Sequence, residues 1–311
     1  MGRWLRYTLT GQIVNFCAPN DLGSVSGGRE DGLIYTFSAL VDYHVRWVIE
    51  TSPKAMIRFG SLTIYWYGAC YVASILVGWL YVRRLSHLTS TFNNTKDIDD
   101  LAIYITISII VGGRLGHAAL YNPALFSEPL KLANTSSGGL AFHGGLATSI
   151  ISLFVFSRAK NVNVAAVFDL VACASPFGLF LVRIANFFNG ELWGRPTTLP
   201  WGVVFSGAGD GLPRHPSQLY EALLEGGGTL IILSYRFWLT EDRLHPGRLT
   251  GWWFLIYGLA RCVSENFRAP TEALLMPEYG ITTGQGLTFP MIIIGLFLLN
   301  HSRCDRFNKA R

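Results

Sequence analysis

Long apolar runs recur along the chain at about residues 62–82, 101–121, 139–157, 165–187, 216–235, 249–266 and 286–300. A hydrocarbon core of about 30 Å takes about 20 apolar helical residues to cross, so these runs are of membrane-spanning length or close to it. They are too long and continuous for barrel strands, which leaves helices as the spanning elements. The pattern predicts an all-α fold: a polytopic membrane protein with about seven transmembrane helices and a small extracytoplasmic head segment. The first run is the clearest, with no charge from Gly60 to Val82, and Gly280 to Asn300 is also uncharged. The middle five carry polar cargo: Arg114, His143, Asp169 with Arg183, Glu221 with Glu225, and Arg261 with Glu265.

Composition agrees with the pattern. Only 14% of the 311 residues are charged, against about 25% in an average soluble domain. Lys and Arg in the loops set the orientation. If the first helix ends in the cytoplasm, twelve basic residues fall on that side and four on the other, namely Lys131, Arg195, Arg214 and Arg268. The C-terminus is then cytoplasmic, and the 122–138, 188–215 and 267–285 loops face outward. The expected organisation is an N-terminal extension (1–56), a transmembrane domain (57–300) whose head segment is about 188–215, and a basic cytoplasmic tail (301–311). The first 60 residues carry six basic side chains and many glycines, without the layout of a signal peptide or a myristoylation site. An amphipathic arm, a disordered tail, and a start upstream of Met56 all stay open for them. Cys17, Cys70, Cys173, Cys262 and Cys304 show no CxxC spacing and read as reduced thiols.

The polar runs hold the candidate chemistry. Gly138 to Gly145 opens the third run with two glycine pairs around His143. Glycine permits close approach of a backbone or a ligand. One reading is helix packing through small residues; the other is an imidazole at the outer surface that takes a proton. Arg183, Asn186 and Asn189 are spaced by three, on neighbouring turns of one helix side, and Glu191 and Gly194 follow. An arginine within an apolar run costs about 2.5–3.5 kcal/mol on insertion scales. A buried pair with Asp169 or Glu221 would offset that, and so would an anion, because guanidinium grips phosphate bidentately. Tyr257, Arg261 and Glu265 form a stripe at i, i+4 and i+8. It is either a self-satisfied ion pair or a second guanidinium for a shared anion. Arg114 either snorkels or packs near the outer interface, or binds substrate. Trp66 and Tyr67 suit an interfacial belt, and the Tyr67 hydroxyl also suits a headgroup. His215-Pro216 opens a helix, and Glu221 is a partner for an arginine.

Several function classes fall away. The sequence has no Walker loop, Rossmann fingerprint, metal-ligand spacing or Gly-x-Ser-x-Gly elbow. It offers no convincing nucleophile. The membrane explains the basic loops, so nucleic acid has no support as a partner. Two rivals to an enzyme remain: a membrane transporter and a lipid-binding scaffold. Transporters usually show internal repeats, and the halves here are dissimilar. Polar residues gathered toward one membrane face favour an interfacial enzyme over both.

Taken together, Trp66-Tyr67-Gly68, Gly112-Gly113-Arg114, Gly138 to Gly145, Arg183 to Arg195, Leu212 to Glu221, the Tyr257 stripe and Gly284-Gln285 resemble the bacterial prolipoprotein diacylglyceryl transferase family. The matches run in family order from about Ile57 to Asn300, and the first 55 residues lie outside them. The resemblance implies a transferase of the bacterial plasma (inner) membrane, working at the outer face in the first step of lipoprotein maturation. It would move the diacylglyceryl group of phosphatidylglycerol to the lipobox cysteine thiol of a preprolipoprotein signal peptide, forming a thioether and releasing glycerol phosphate. The implied partners are that lipid, that peptide and the surrounding membrane lipid, with no metal and no organic cofactor. His143, Arg183, Arg261 and Glu265 are the expected catalytic residues. Tyr67, Arg114, Gly144, Asn186, Asn189, Glu191, Gly194 and Tyr257 are the expected substrate-binding residues. The substrate supplies the nucleophile, and its thiol must ionise to react. His143 is the first candidate base, with Glu191 or Glu265 as relays. Arg183 and Arg261 would stabilise the charge growing on the leaving phosphate. Two lipid-sized substrates imply lateral openings between helices.

Overall fold

The computed structural model describes residues 5–9, 12–16, 48–49, 55–59, 62–92, 94–134, 139–269 and 283–309. Among these the protein is mostly helical, and its long helices follow the apolar runs in order: α1 (Trp66–Thr89), α2 (Thr95–Tyr121), α3 (Phe142–Ala159), α4 (Val164–Asn189), α5, α6 (Arg248–Ser264) and α7 (Thr283–Lys309). α5 is composite: Ser217–Glu221 and Thr229–Leu239 flank a π-helical stretch, Ala222–Gly228. By length and composition α2 and α4 suffice to cross a membrane, and Thr288–Ser302 within α7 is a shorter apolar stretch. Gly138 and most of the 267–285 loop lie outside the described residues.

Local chemistry sets the helix ends. Asn94 and Asn163 cap α2 and α4 by accepting the Lys96 and Ala166 N–H groups, which satisfies donors a helix start leaves free. The α6 start is capped from another helix. The buried Asp169 carboxylate of α4 accepts the N–H groups of Gly247 (2.8 Å) and Thr250 (2.7 Å) and the Thr250 hydroxyl (2.6 Å). α1 begins later than its apolar run, because Leu62–Tyr65 forms a strand paired with Ala55–Phe59. The run Leu-Thr-Ile-Tyr favours extended backbone.

Helices α1 and α4, α2 and α3, and α6 and α7 pack as neighbours. The apolar core gathers at one end of the bundle. It comprises Val82 and Leu85 of α1, Leu101 of α2, Phe156 of α3, Leu170 of α4, Leu233 and Phe237 of α5 and Leu249 of α6. Outward helix faces expose large apolar side chains, including Leu76, Ile103, Ile107, Ile151, Phe154, Ile231, Ile293 and Phe297. So much exposed apolar surface marks contact with lipid or protein rather than water.

The opposite end carries a small head, and here the chain departs from all-α. Val203–Phe205 pairs antiparallel with Pro213–Arg214 and parallel with Val48–Ile49. Ile49, Val203 and Phe205 form a second apolar cluster against Phe187 and Trp193. Residues 48–49 of the N-terminal extension therefore belong to the head sheet. The bridge Gly194–Arg268 ties the head to the chain leaving α6.

Candidate active site

One buried cluster of ionisable residues lies at the head end, remote from the apolar core. Arg183 comes from the last turns of α4, Glu221 and Glu225 from the first half of α5, and Arg261 and Glu265 from the end of α6. Both α5 carboxylates are fully buried. Glu221 touches three guanidiniums: Arg183 Nε at 2.9 Å, Arg261 Nη1 at 3.2 Å and Arg268 Nη1 at 3.4 Å. Glu225 meets Arg183 Nη2 at 3.5 Å and Arg261 Nη1 at 3.2 Å, and accepts from Ser264 Oγ at 2.8 Å. Glu265 holds Arg261 Nη2 at 2.7 Å. Arginines Arg183, Arg261 and Arg268 thus face Glu221, Glu225 and Glu265, and the formal charges cancel.

Arg183 is ion-paired, as one of its sequence readings expected. Its partners are Glu221 and Glu225, while Asp169 is spent on the α6 cap. The α6 stripe is more than a self-satisfied pair, because Arg261 also crosses to α5. Arg183 commits Nε and Nη2 to carboxylates, and its Nη1 carries two more donors. Tyr257 stacks on Trp253 at 5.0 Å and lies within the electrostatic reach of both arginines. The Tyr67 hydroxyl stands 3.2 Å from that of Tyr71 and feels the charges of Glu191 and Arg183.

His143 comes from a different helix pair. It is exposed on the first turn of α3, a helix packed mainly on α2. Its neighbours explain the glycines. A Cβ on Gly144 would fall 2.2 Å from the Gly112 carbonyl oxygen and 2.7 Å from Gly116 Cα. Arg114 fixes the chain entering α3. It is buried and donates to the carbonyls of Lys131 (2.7 Å), Leu132 (2.8 Å) and Gly139 (3.1 Å). It packs inside the protein rather than snorkelling. Arg114→Met strands three carbonyls and is expected to cost about 3 kcal/mol, visible as a lower thermal midpoint in detergent.

Asn186, Asn189, Glu191 and Gly194 lie where α4 turns into the head. Asn189 Nδ2 donates to Glu191 Oε1 at 3.2 Å, and Gln218 Nε2 donates to the Glu191 carbonyl. Among the described residues the buried side-chain oxygens of Asn186, Asn189 and Gln218 have no partner, a condition that costs about 1–3 kcal/mol per group. Gly194 passes between two strands of chain, where a Cβ would come 2.4 Å from the His215 oxygen and 2.6 Å from the Phe267 oxygen.

His215 accepts or donates at 3.2 Å to the Tyr220 hydroxyl and sits edge-on to Phe267. Burial pushes its imidazole below the ordinary value. With the folded value depressed, its contribution is complete above about pH 6.5, the ordinary value. It is lost as pH falls toward the folded value. Hydrogen exchange across 192–215, corrected for intrinsic rates, should quicken between pH 7.5 and 5.5, and should not do so in His215→Phe.

The site gathers Arg183, Arg261, Glu265 and Tyr257 directly. Sequence reasoning passed over Glu225, Arg268 and Gln218 as site members. Two of them carried a signal: Glu225 is one turn beyond Glu221, and Arg268 lies seven residues beyond Arg261. Among the described residues no group of His, Cys, Asp and Glu is arranged to hold a metal ion. Cys70, Cys173 and Cys262 are free thiols.

The family described as Prolipoprotein diacylglyceryl transferase matches residues 54–301. A phosphatidylglycerol–prolipoprotein diacylglyceryl transferase of Zymomonas mobilis is 44% identical over 240 residues, covering 77% of this chain and 84% of the relative. That of Bartonella bacilliformis is 39% identical over 266 residues, covering 82% and 93%. That of Wolbachia pipientis is 40% identical over 261 residues, covering 84% and 98%.

Proposed function

The chain belongs to the prolipoprotein diacylglyceryl transferase family, and from that premise we propose that it uses the carboxylate-held arginines to move a diacylglyceryl group from phosphatidylglycerol to a lipobox cysteine. The sulfur bonds to the glycerol carbon that carries the phosphate ester. The C–O bond to phosphate breaks, glycerol phosphate leaves with the electron pair, and the thiol proton passes to a base. The observation that carries this reading is the pair Arg183 and Arg261, oriented by Glu221 and Glu225 at the head end. Guanidiniums already positioned stabilise a developing phosphate charge without reorganising during the reaction. Glu265 aims Arg261, while Asn186, Tyr67 and Tyr257 line the approach. Gly144 and Gly194 shape the binding region by letting backbones meet closely, and Arg114 supports the chain that leads to His143.

His143 serves as the base in this account. Its exposure on the first turn of α3 suits a group that meets a substrate peptide. If it acts only as a base, raising the pH should restore part of the transfer lost in His143→Ala. A defect that ignores pH would assign it to packing or lipid binding instead. In this reading all seven long helices cross the bacterial inner membrane, with the head and the arginine site outside and the C-terminal tail in the cytoplasm. The test of function is purified protein with phosphatidylglycerol and a lipobox peptide. The peptide should gain the mass of one diacylglyceryl unit; an unmodified peptide would refute the assignment.

A further inference from the structure

Beside the arginine cluster lies a second polar feature that the ion pairs do not explain. Asn186 and Asn189 end α4, Gln218 begins α5, and all three converge on Glu191. Asn186 gives its carbonyl to the Glu191 N–H at 2.9 Å, Asn189 Nδ2 donates to the Glu191 carboxylate, and Gln218 Nε2 donates to the Glu191 carbonyl. The three residues are 4%, 3% and 0% exposed, and each leaves its amide oxygen without a donor among the described residues. The orientation of two of them is set by their neighbours. Turning over the amide of Asn189 or Gln218 would place oxygen against oxygen at Glu191, so the acceptor end must face away. The site therefore presents neutral acceptors in a buried place, with Asn186 three residues beyond Arg183 on α4. A hydroxyl suits such acceptors, because it donates without carrying charge.

We propose that Asn186, Asn189 and Gln218 form a subsite for the hydroxyl groups of a polyol headgroup, and that this subsite selects the lipid donor. The proposal rests on the transferase reading: the phosphate lies on the arginines, and the headgroup beyond it reaches the amide oxygens. Glu191 is the positioning residue, since it occupies the donor ends of Asn189 and Gln218. A buried site built to bond a hydroxyl rejects a ligand that lacks one strongly, because its own polar groups are left unpaired.

The probe is phosphatidylethanol, which keeps the phosphodiester charge and lacks headgroup hydroxyls. Each lipid is used to displace a fluorescent phosphatidylglycerol from the purified, detergent-solubilised protein. The wild-type protein should require at least about 100-fold more phosphatidylethanol than phosphatidylglycerol. In Gln218→Leu and in Asn189→Leu the ratio should fall below about 10-fold. Equal displacement by the two lipids on the wild-type protein would overturn the subsite and leave the amide oxygens to water; this arm needs no variant to fold. A ratio unchanged in both variants would overturn it as well. Binding preference and peptide modification separate the two ideas. A protein that prefers phosphatidylglycerol in this way but modifies no peptide keeps the subsite and loses the transferase reading. Transfer from phosphatidylethanol at the phosphatidylglycerol rate does the reverse.

Discussion

Arg261→Ala is expected to lower diacylglyceryl transfer by at least about 100-fold and to destabilise the protein by about 3–5 kcal/mol. Both effects come from the same contacts. The guanidinium is held by Glu221, Glu225 and Glu265 at 3.2, 3.2 and 2.7 Å. Without it Glu225 keeps only its 3.5 Å contact to Arg183 as an ion pair, and Glu265 loses its partner on the same helix. Removing one member of a buried pair strands the other charge, which costs more than the pair contributes. The two effects separate in a second variant. Arg261→Ala combined with Glu225→Gln should recover part of the thermal midpoint and none of the transfer. Recovery of transfer would mean that Arg261 acts by folding alone.

Gly144→Ala is the second large effect, and it needs no charge. The added methyl would stand 2.2 Å from the Gly112 oxygen and 2.7 Å from Gly116 Cα. Both are backbone atoms on α2, so no side chain can rotate away. Helices α2 and α3 must separate. Overpacking of this kind costs about 1–3 kcal/mol and occasionally more; the upper end is expected here. The displaced helix start carries His143, so transfer should fall at least about 10-fold. Gly68→Ala provides the contrast, because nothing lies within 4 Å of its added Cβ. Thermal melting of the two variants side by side checks the argument: equal melting would remove the packing explanation.

The long helices were legible in the sequence because apolar runs and charge gaps survive any detail of packing. Helix ends were less so. α1 starts at Trp66 because Leu62–Tyr65 pairs with a preceding strand, and that partner lies outside the apolar run. The head reads as an outer loop rich in Gly, Pro and Trp. Its sheet depends on Val48–Ile49, distant in sequence from the strand they join.

The candidate site was half legible. The spacing of Tyr257, Arg261 and Glu265 shows one helix face, and an arginine in an apolar run demands a partner. Which partner it takes depends on how helices sit beside one another, so Glu221 and Glu225 displace Asp169 only once α4 and α5 are packed. Glycines next to chemical motifs read equally as ligand contacts or as packing. Gly144 and Gly194 have backbone oxygens where a Cβ would go, which accounts for glycine at both by packing alone. Gln218 gave no signal, because an amide gains meaning only from the groups it fails to meet.

The central claim is that positioned arginines drive phosphate departure from a lipid toward a thiol. The most direct measurement follows both products from purified protein, phosphatidylglycerol and a lipobox peptide, in the wild type and in Arg183→Gln. One glycerol phosphate should be released for each peptide converted to the thioether, and both should fall together by at least about 100-fold in the variant. Thioether formation at the wild-type rate in Arg183→Gln, or glycerol phosphate released without peptide modification, would contradict it.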